Sequence, residues 1–279
     1  MLVPRTFLLP HLPTLLVDQH RRHHTPMLSA FETASARLHA DAPQTVVIVS
    51  GRWETPRPFL VGADRRHTTL TDDPGFGVEA RYDCTGDPAL ARALVAAGLA
   101  ARVRVAATTR GVDSGVSVPM HFLAPGREWR VVPLSVAPQP AAACRAWGAV
   151  VRRTLERWPE RVAFVVGGVL SNNRHAWNLG RDVPEARAFD EHALEALRQG
   201  AWDELSRGAA GVRRKAQPET GLRHLEVLRG FLGTDVPGEV LCYEPGPGVG
   251  SALVEFEVAA AEAPEPAAPA PAAPAPPAP

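Results

Sequence analysis

Lysine is nearly missing from this chain: of 30 basic residues, Lys215 is the only lysine, and the rest are arginine. Cysteine is scarce as well. Cys84, Cys144 and Cys242 are odd in number and far apart, which argues against a disulfide framework or a cysteine-based zinc site and points to a reducing cytoplasm. No charge of one sign predominates, because 30 acidic residues balance the 30 basic ones. A nucleic-acid footprint or a strongly acidic partner surface is therefore not expected. No apolar run reaches 18 residues, so nothing is expected to span a membrane. The opening MLVPRTFLLPHLPTLLVD is apolar but interrupted by Pro4, Pro10 and Pro13. It lacks a basic stretch ahead of an unbroken apolar core, so it does not read as a secretory signal.

The 279 residues are 45% hydrophobic and 22% charged, ordinary values for a protein with one large core. Strand signals fall at Phe7–Leu9, Val46–Ser50, Val103–Ala107, Val131–Val136, Val162–Gly167, Val240–Tyr243 and Ala252–Val258. Helix signals lie between them. Pro26–Ala40 is one. In GDPALARALVAAGLAA, Asp87 is placed as N-cap, Pro88 as first helical residue and Gly98 as stop. Ala141–Trp158, Asp190–Gln199, Trp202–Arg207 and Thr220–Leu232 follow. Strands separated by helices predict a single α/β domain over 1–258, with a central mixed sheet and helices on both faces. An eight-fold βα repeat is not visible, which argues against a barrel. Residues 259–279 read AAAEAPEPAAPAPAAPAPPAP and hold eight of the 28 prolines. With no apolar stripe to bury, this stretch is expected to be a disordered tail.

Five stretches could carry chemistry. In TVVIVSGRWETP, a buried strand empties through Ser50-Gly51 into Arg52, the kind of position that delivers a side chain to a site. His11 lies between prolines in LPHLP, where a stiff turn suits a fixed ligand or base; a surface histidine is the bland alternative. In RGVDSGVSVPM, Asp113 and Gly115 form a turn before a short strand or helix. In FVVGGVLSNNRHAW, a strand ends at Gly167-Gly168, followed by Ser171, Asn172, Asn173 and His175. The glycines allow close backbone approach, but the dinucleotide fingerprint is absent. In PETGLRHLEVLRGFLG, Leu222, Leu225, Leu228 and Phe231 form a packing stripe. Glu219 heads it, where a carboxylate suits a helix N-terminus. His20, His23 and His24 sit among arginines and are poor cation ligands.

Taken in order, these stretches resemble the class III extradiol ring-cleavage dioxygenases, a family that includes protocatechuate 4,5-dioxygenase, 4,5-DOPA dioxygenase and 2-aminophenol 1,6-dioxygenase. LPHLP is similar to the N-terminal histidine motif, VVIVSGRWET to the strand-end motif VVVSAHW, GVDSGVSVPM to G-[FL]-D-H-G-x-x-V-P-L, and VGGVLSNN to G-x-G-x-L-S-H. AFDEHALEALRQGAWDEL and GFLGTDVPGEVLCYEPGPGVGSALVEFEV resemble two later segments, so the likeness runs from about Phe7 to Val258.

The resemblance implies a non-haem Fe(II) held by two histidines and a carboxylate, with other positions open to a phenolic substrate and dioxygen. Carried over residue by residue, His11 matches the first iron histidine and Glu219 the carboxylate, with Glu226 as the weaker match. Arg52 stands where the second histidine belongs. Ser114 and Asn172 stand where two pocket histidines belong; His67, His121 and His175 are the histidines that could replace those lost. Arginine stays protonated and offers no lone pair, so its charge is expected to neutralise Glu219 in place of a metal. Arg52, Asp113, Ser171, Asn173 and His175 remain as substrate-binding candidates.

The pattern resembles most closely the non-catalytic alpha subunit of 2-aminophenol 1,6-dioxygenase. A degenerate, metal-free subunit or pseudoenzyme follows, partnered by a catalytic paralogue or by a second copy. Two alternatives stay open: an active Fe(II) dioxygenase with altered ligands, and a protein that binds an aromatic acid through Arg52.

Overall fold

Val46, Val47, Ile48 and Val49 are all buried, yet they enter two different cores. Val47 and Val49 pack on one side of the sheet and Val46 and Ile48 on the other. A strand with a hydrophobic layer on each face reads as a continuous apolar run, which is why the sequence shows runs and not alternation. The computed structural model describes residues 1–72 and 81–259; the tail assigned to 259–279 lies, beyond Ala259, outside them.

In chain order the elements are β1 (Leu2–Leu9), α1 (Thr14–His20), α2 (Pro26–Ala40), β2 (Thr45–Glu54), β3 (Phe59–Gly62), β4 (Arg66–His67) and β5 (Cys84–Thr85). There follow α3 (Pro88–Ala100), β6 (Val105–Thr108), α4 (Ser114–Leu123), β7 (Arg130–Val136), α5 (Ala141–Glu156) and β8 (Val162–Gly167). The chain continues through α6 (Arg174–Asn178), α7 (Pro184–Gln199), α8 (Ala210–Ala216), α9 (Arg223–Leu232), β9 (Gly238–Pro245) and β10 (Gly250–Glu257). Among the described residues the main sheet has eight strands in the order β6-β3-β7-β2-β8-β1-β10-β9. β7, β2, β8 and β1 run parallel, while β10 and β9 are antiparallel additions. Helices α3, α5, α7 and α9 supply one core and α1, α2 and α4 the other. The molecule is therefore an α/β domain with a mixed sheet covered on both faces. None of its described helices is long and apolar enough to cross a membrane.

Local signals set several boundaries. Thr25 accepts from the Leu28 N–H and Asp87 from the Leu90 N–H, capping α2 and α3, each with proline at its first turn. Gly98 does not stop α3, which runs on to Ala100. It serves close packing instead: a Cβ there would lie 2.4 Å from Val105 Cγ1. Segment 114–123 is helical, and the 202–206 turn is a 3-10 turn, not an α-helix. The short strand β3 had no counterpart in the sequence reading.

The tightest helix pair is α5 with α9. A Cβ on Gly148 would meet the Val227 carbonyl oxygen at 2.0 Å, and one on Gly230 would meet that of Arg145 at 2.0 Å. Backbone cannot yield as a side-chain tip can. Gly148→Ala is therefore expected to lower stability by roughly 1–3 kcal/mol, read as a shift in the urea midpoint.

Candidate functional site

The carboxyl ends of β1, β2 and β8 lie side by side, and such ends of parallel strands are where α/β sheets present ligand sites. His11 follows β1. Gly167-Gly168 ends β8. In β2 the pairing with β7 runs regularly to Ser50↔Ser135 and then jumps to Glu54↔Val136. Residues 51–53 thus bulge from the ladder, a device that re-aims side chains beside functional clefts. Arg52 is carried on this bulge.

The fourth contributor is the turn ahead of α9. Helix does not run through 220–232 as the sequence suggests. Glu219–Leu222 form a 3-10 turn in which Thr220, Gly221 and Leu222 have φ of 49°, 61° and 67°. Left-handed backbone at threonine and leucine costs on the order of 1–2 kcal/mol per residue. The turn lodges Glu219 in the cleft, its N–H donating to the Leu170 carbonyl. A Cβ on Gly51 would stand 2.6 Å from Glu219 Oε2, so only glycine admits the carboxylate there.

Glu219 is buried and fully occupied. Its Oε1 lies 2.9 Å from His11 Nε2 and accepts from Asn172 Nδ2 at 3.2 Å, while Oε2 accepts from the Val169 N–H at 2.8 Å. Burial alone would raise the carboxyl, but His11, with help from His224 and the Val169 N–H, holds it down to about 2. For His11, burial and the nearby Arg52 charge oppose protonation; Glu219 outweighs both and places the imidazole above its ordinary value. The two therefore form a buried hydrogen-bonded pair in which each partner favours the charged form of the other.

His224, in the first turn of α9, is the member the sequence reading missed. It is completely buried. Nδ1 lies 3.0 Å from Thr220 Oγ1, and Nε2 has no hydrogen-bond partner. A Cβ on Gly168 would come within 2.8 Å of that Nε2 and 3.3 Å of Glu219 Oε2, so the imidazole and the carboxylate flank one point. Burial, offset in part by Glu219, pushes His224 down to about 4. The available signal was a lone polar residue next to the leucine stripe of α9.

The ion-pair partner expected for Arg52 is corrected. Glu219 takes its bonds from His11, Val169 and Asn172, whereas Arg52 Nε lies 3.7 Å from Asp72 Oδ2. Asp72 also accepts from the N–H and the hydroxyl of Ser114, the latter at 2.8 Å. Asp113 accepts from Ser50 Oγ at 2.6 Å and from Arg110 at 2.7 Å. Arg110 in turn lies over the Trp53 ring.

The remaining candidates are engaged elsewhere. The Ser171 hydroxyl and N–H both donate to Asp190 at 2.8 Å, and Tyr243 donates to the same carboxylate. Asn173 caps α6 and donates to the Lys215 carbonyl. His175 is exposed on α6. Glu226 pairs with Arg145 on α5 and is no alternative to Glu219. His67 contacts the Val131 carbonyl and His121 contacts Gln19, so neither fills a place beside Glu219.

Two donors are spaced as a metal would need. A His nitrogen and a carboxylate oxygen 2.9 Å apart match adjacent ligands each ~2.1 Å from one octahedral ion. The facial set requires a third, and the bulge supplies a guanidinium. Among the described residues no group of three or more His, Cys, Asp or Glu side chains could hold a metal ion. The described residues therefore do not supply the facial set that a resident Fe(II) requires.

Residues 5–254 match the family model described as the catalytic LigB subunit of aromatic ring-opening dioxygenase. Over 140 residues the chain is 26% identical to a 4,5-DOPA dioxygenase extradiol of Beta vulgaris, an alignment covering 48% of this chain and 50% of that protein; the match thus spans about half the length of that curated relative. The crystal structure of an uncharacterized Escherichia coli K12 protein, JW3007, superposes with a TM-score of 0.66 at 20% identity, covering 90% of this chain and 99% of that one, a likeness of fold. With a family match spanning nearly all the described residues, this chain belongs to the LigB family of class III extradiol dioxygenases.

Proposed function

We propose that this protein is a non-catalytic member of its family, in which a proton shared between His11 and Glu219 takes the place of the metal. It serves a catalytic relative as an alpha-type subunit. The observation that carries this reading is the arginine on the β2 bulge, at the position matched to the second iron histidine, with its charge near enough to oppose protonation of His11. A permanent cation within ~6 Å of a divalent ion costs about 5 kcal/mol at an effective dielectric of ~20. Purified anaerobically and given Fe(II), the protein is expected to retain far less than one equivalent of iron. Oxygen uptake with catechol, protocatechuate or 2-aminophenol should stay at the blank rate. Stoichiometric iron with uptake rejects the reading. Co-expression with a relative that keeps the missing histidines is expected to yield a co-eluting complex.

Asp72 favours a second reading. Its carboxylate sits between Arg52 and the Ser114 N–H and hydroxyl, as the carboxylate of an aromatic acid would. Neutralising that internal competitor with Asp72→Asn is expected to strengthen protocatechuate binding in calorimetry. No change, or weaker binding, removes this reading.

A further inference from the structure

On the face of the sheet where α3 packs against α5 lies a groove of about 470 Å³. Small side chains form one wall, Ala93, Ala97 and Ala100 of α3, and Val150 of α5 and Trp158 just beyond it contribute to the other. Three features of this groove lack partners inside the fold. The Trp158 indole Nε1 is shielded from solvent and has no acceptor. Arg153 of α5 and Arg157, the residue that follows its last turn, both line the groove, are exposed and form no ion pair among the described residues. The neighbouring ridge is fully paired, with Arg152 on Glu156 at 2.7 Å.

An apolar trough without bulky side chains and two cations outside any ion pair describe the ligand, and the Trp158 indole in the groove wall reports its arrival. The ligand is an extended segment of small residues with outward carbonyls and a few carboxylates. Proline-rich sequences meet the first requirement, because they cannot donate from proline nitrogen and present their carbonyls outward to aromatic-lined grooves. We infer that the α3–α5 groove is a binding site for an acidic, proline-rich segment, and that its occupant is residues 260–279 of this same chain.

The path and the charge both fit. The carbonyl of Ala259 accepts from Arg152 at 2.7 Å, so the chain passes α5 one ridge away from Arg153 and Arg157. Glu262 and Glu265 follow three and six residues later. At ~3.1 Å per residue they reach about 9 and 19 Å beyond Ala259, enough to pass a helix ~10 Å across. Beyond Glu265 the sequence holds only alanine and proline, the small residues that a trough lined by alanines admits.

The test compares the full chain with a version ending at Ala259, following the Trp158 indole N–H signal in a nitrogen-15 correlation spectrum, assigned through Trp158→Phe. Removing 260–279 is expected to move that signal and to leave the other indoles in place. A synthetic peptide of residues 260–279 returns it. Arg153→Glu with Arg157→Glu in the full chain reproduces the shortened chain's position, and adding Glu262→Arg with Glu265→Arg restores the original. An indole signal indifferent to the segment overturns the inference. So does a shift that fades on dilution, which would assign the groove to a second copy. The unaffected indoles report that each variant has folded.

Discussion

Arg52→His is expected to create divalent-metal binding at the site proposed above to be metal-free. The substitution removes the guanidinium and offers an imidazole lone pair from the same bulge. His11 Nε2 and Glu219 Oε1 already stand 2.9 Å apart, and metal entry releases the proton they share. For a separation of ~6 Å at an effective dielectric of ~20, relief of the cation repulsion would be about 5 kcal/mol, more than 10³-fold in affinity. The third ligand adds to it. Equilibrium dialysis with Mn(II) or anaerobic Fe(II) should give near one equivalent for the variant and little for the parent. Proton release on binding, seen in weakly buffered solution, would identify the His11–Glu219 pair as the site entered. Ring cleavage need not return with the metal, because Ser114 and Asn172 still occupy the positions matched to the pocket histidines. Equal metal binding by parent and variant would contradict the role given to Arg52.

Acid should weaken the fold in two steps, each assigned to a buried group. His224 is held down to about 4 in the folded chain, while an unfolded histidine titrates near 6.5. Between those values the unfolded state binds a proton that the native state refuses, so stability falls as pH drops from 6.5 to 4, by ~3 kcal/mol. Glu219, held near 2 against an ordinary 4.5, contributes stability that is present above 4.5 and lost as pH falls toward 2, again on the order of 3 kcal/mol. His11 acts oppositely. Its folded value is raised, so its contribution is complete below pH 6.5 and declines as pH rises through that raised value. A stability maximum near neutrality follows. Urea unfolding at a series of pH values checks it. His224→Asn, which retains an acceptor or donor toward Thr220, is expected to flatten the slope between 6.5 and 4. A parent curve that is level across that window would show that His224 is not the neutral, buried group described.

Much of the scaffold was legible because its signals are local. Pro26 and Pro88 stand at first turns with Thr25 and Asp87 before them, and the boundaries of α2 and the start of α3 follow. The strand Val162–Gly167 coincides with its apolar run residue for residue. Where the reading failed, a non-local term prevailed. Gly98 looked like a stop, yet α3 continues because Val105 and Trp147 pack against its bare Cα. The helix expected through 220–232 breaks at its start because the left-handed turn is held by contacts of Glu219 with His11, just after β1, and with Val169 and Asn172, just after β8.

Some of the candidate site is a property of residue type and needs no coordinates: arginine has no lone pair, so position 52 cannot ligate a cation in any fold. The alternation of buried runs with amphipathic helices likewise fixes an α/β sheet covered on both faces. Which charge meets which was decided only in three dimensions. His11 and Glu219 are 208 positions apart, and their pairing, the assignment of Arg52 to Asp72 and the burial of His224 all depend on strand order, a bulge and a strained turn. Side-chain chemistry is carried by each residue alone, whereas desolvation and pairing energies depend on neighbours that the chain acquires only by folding.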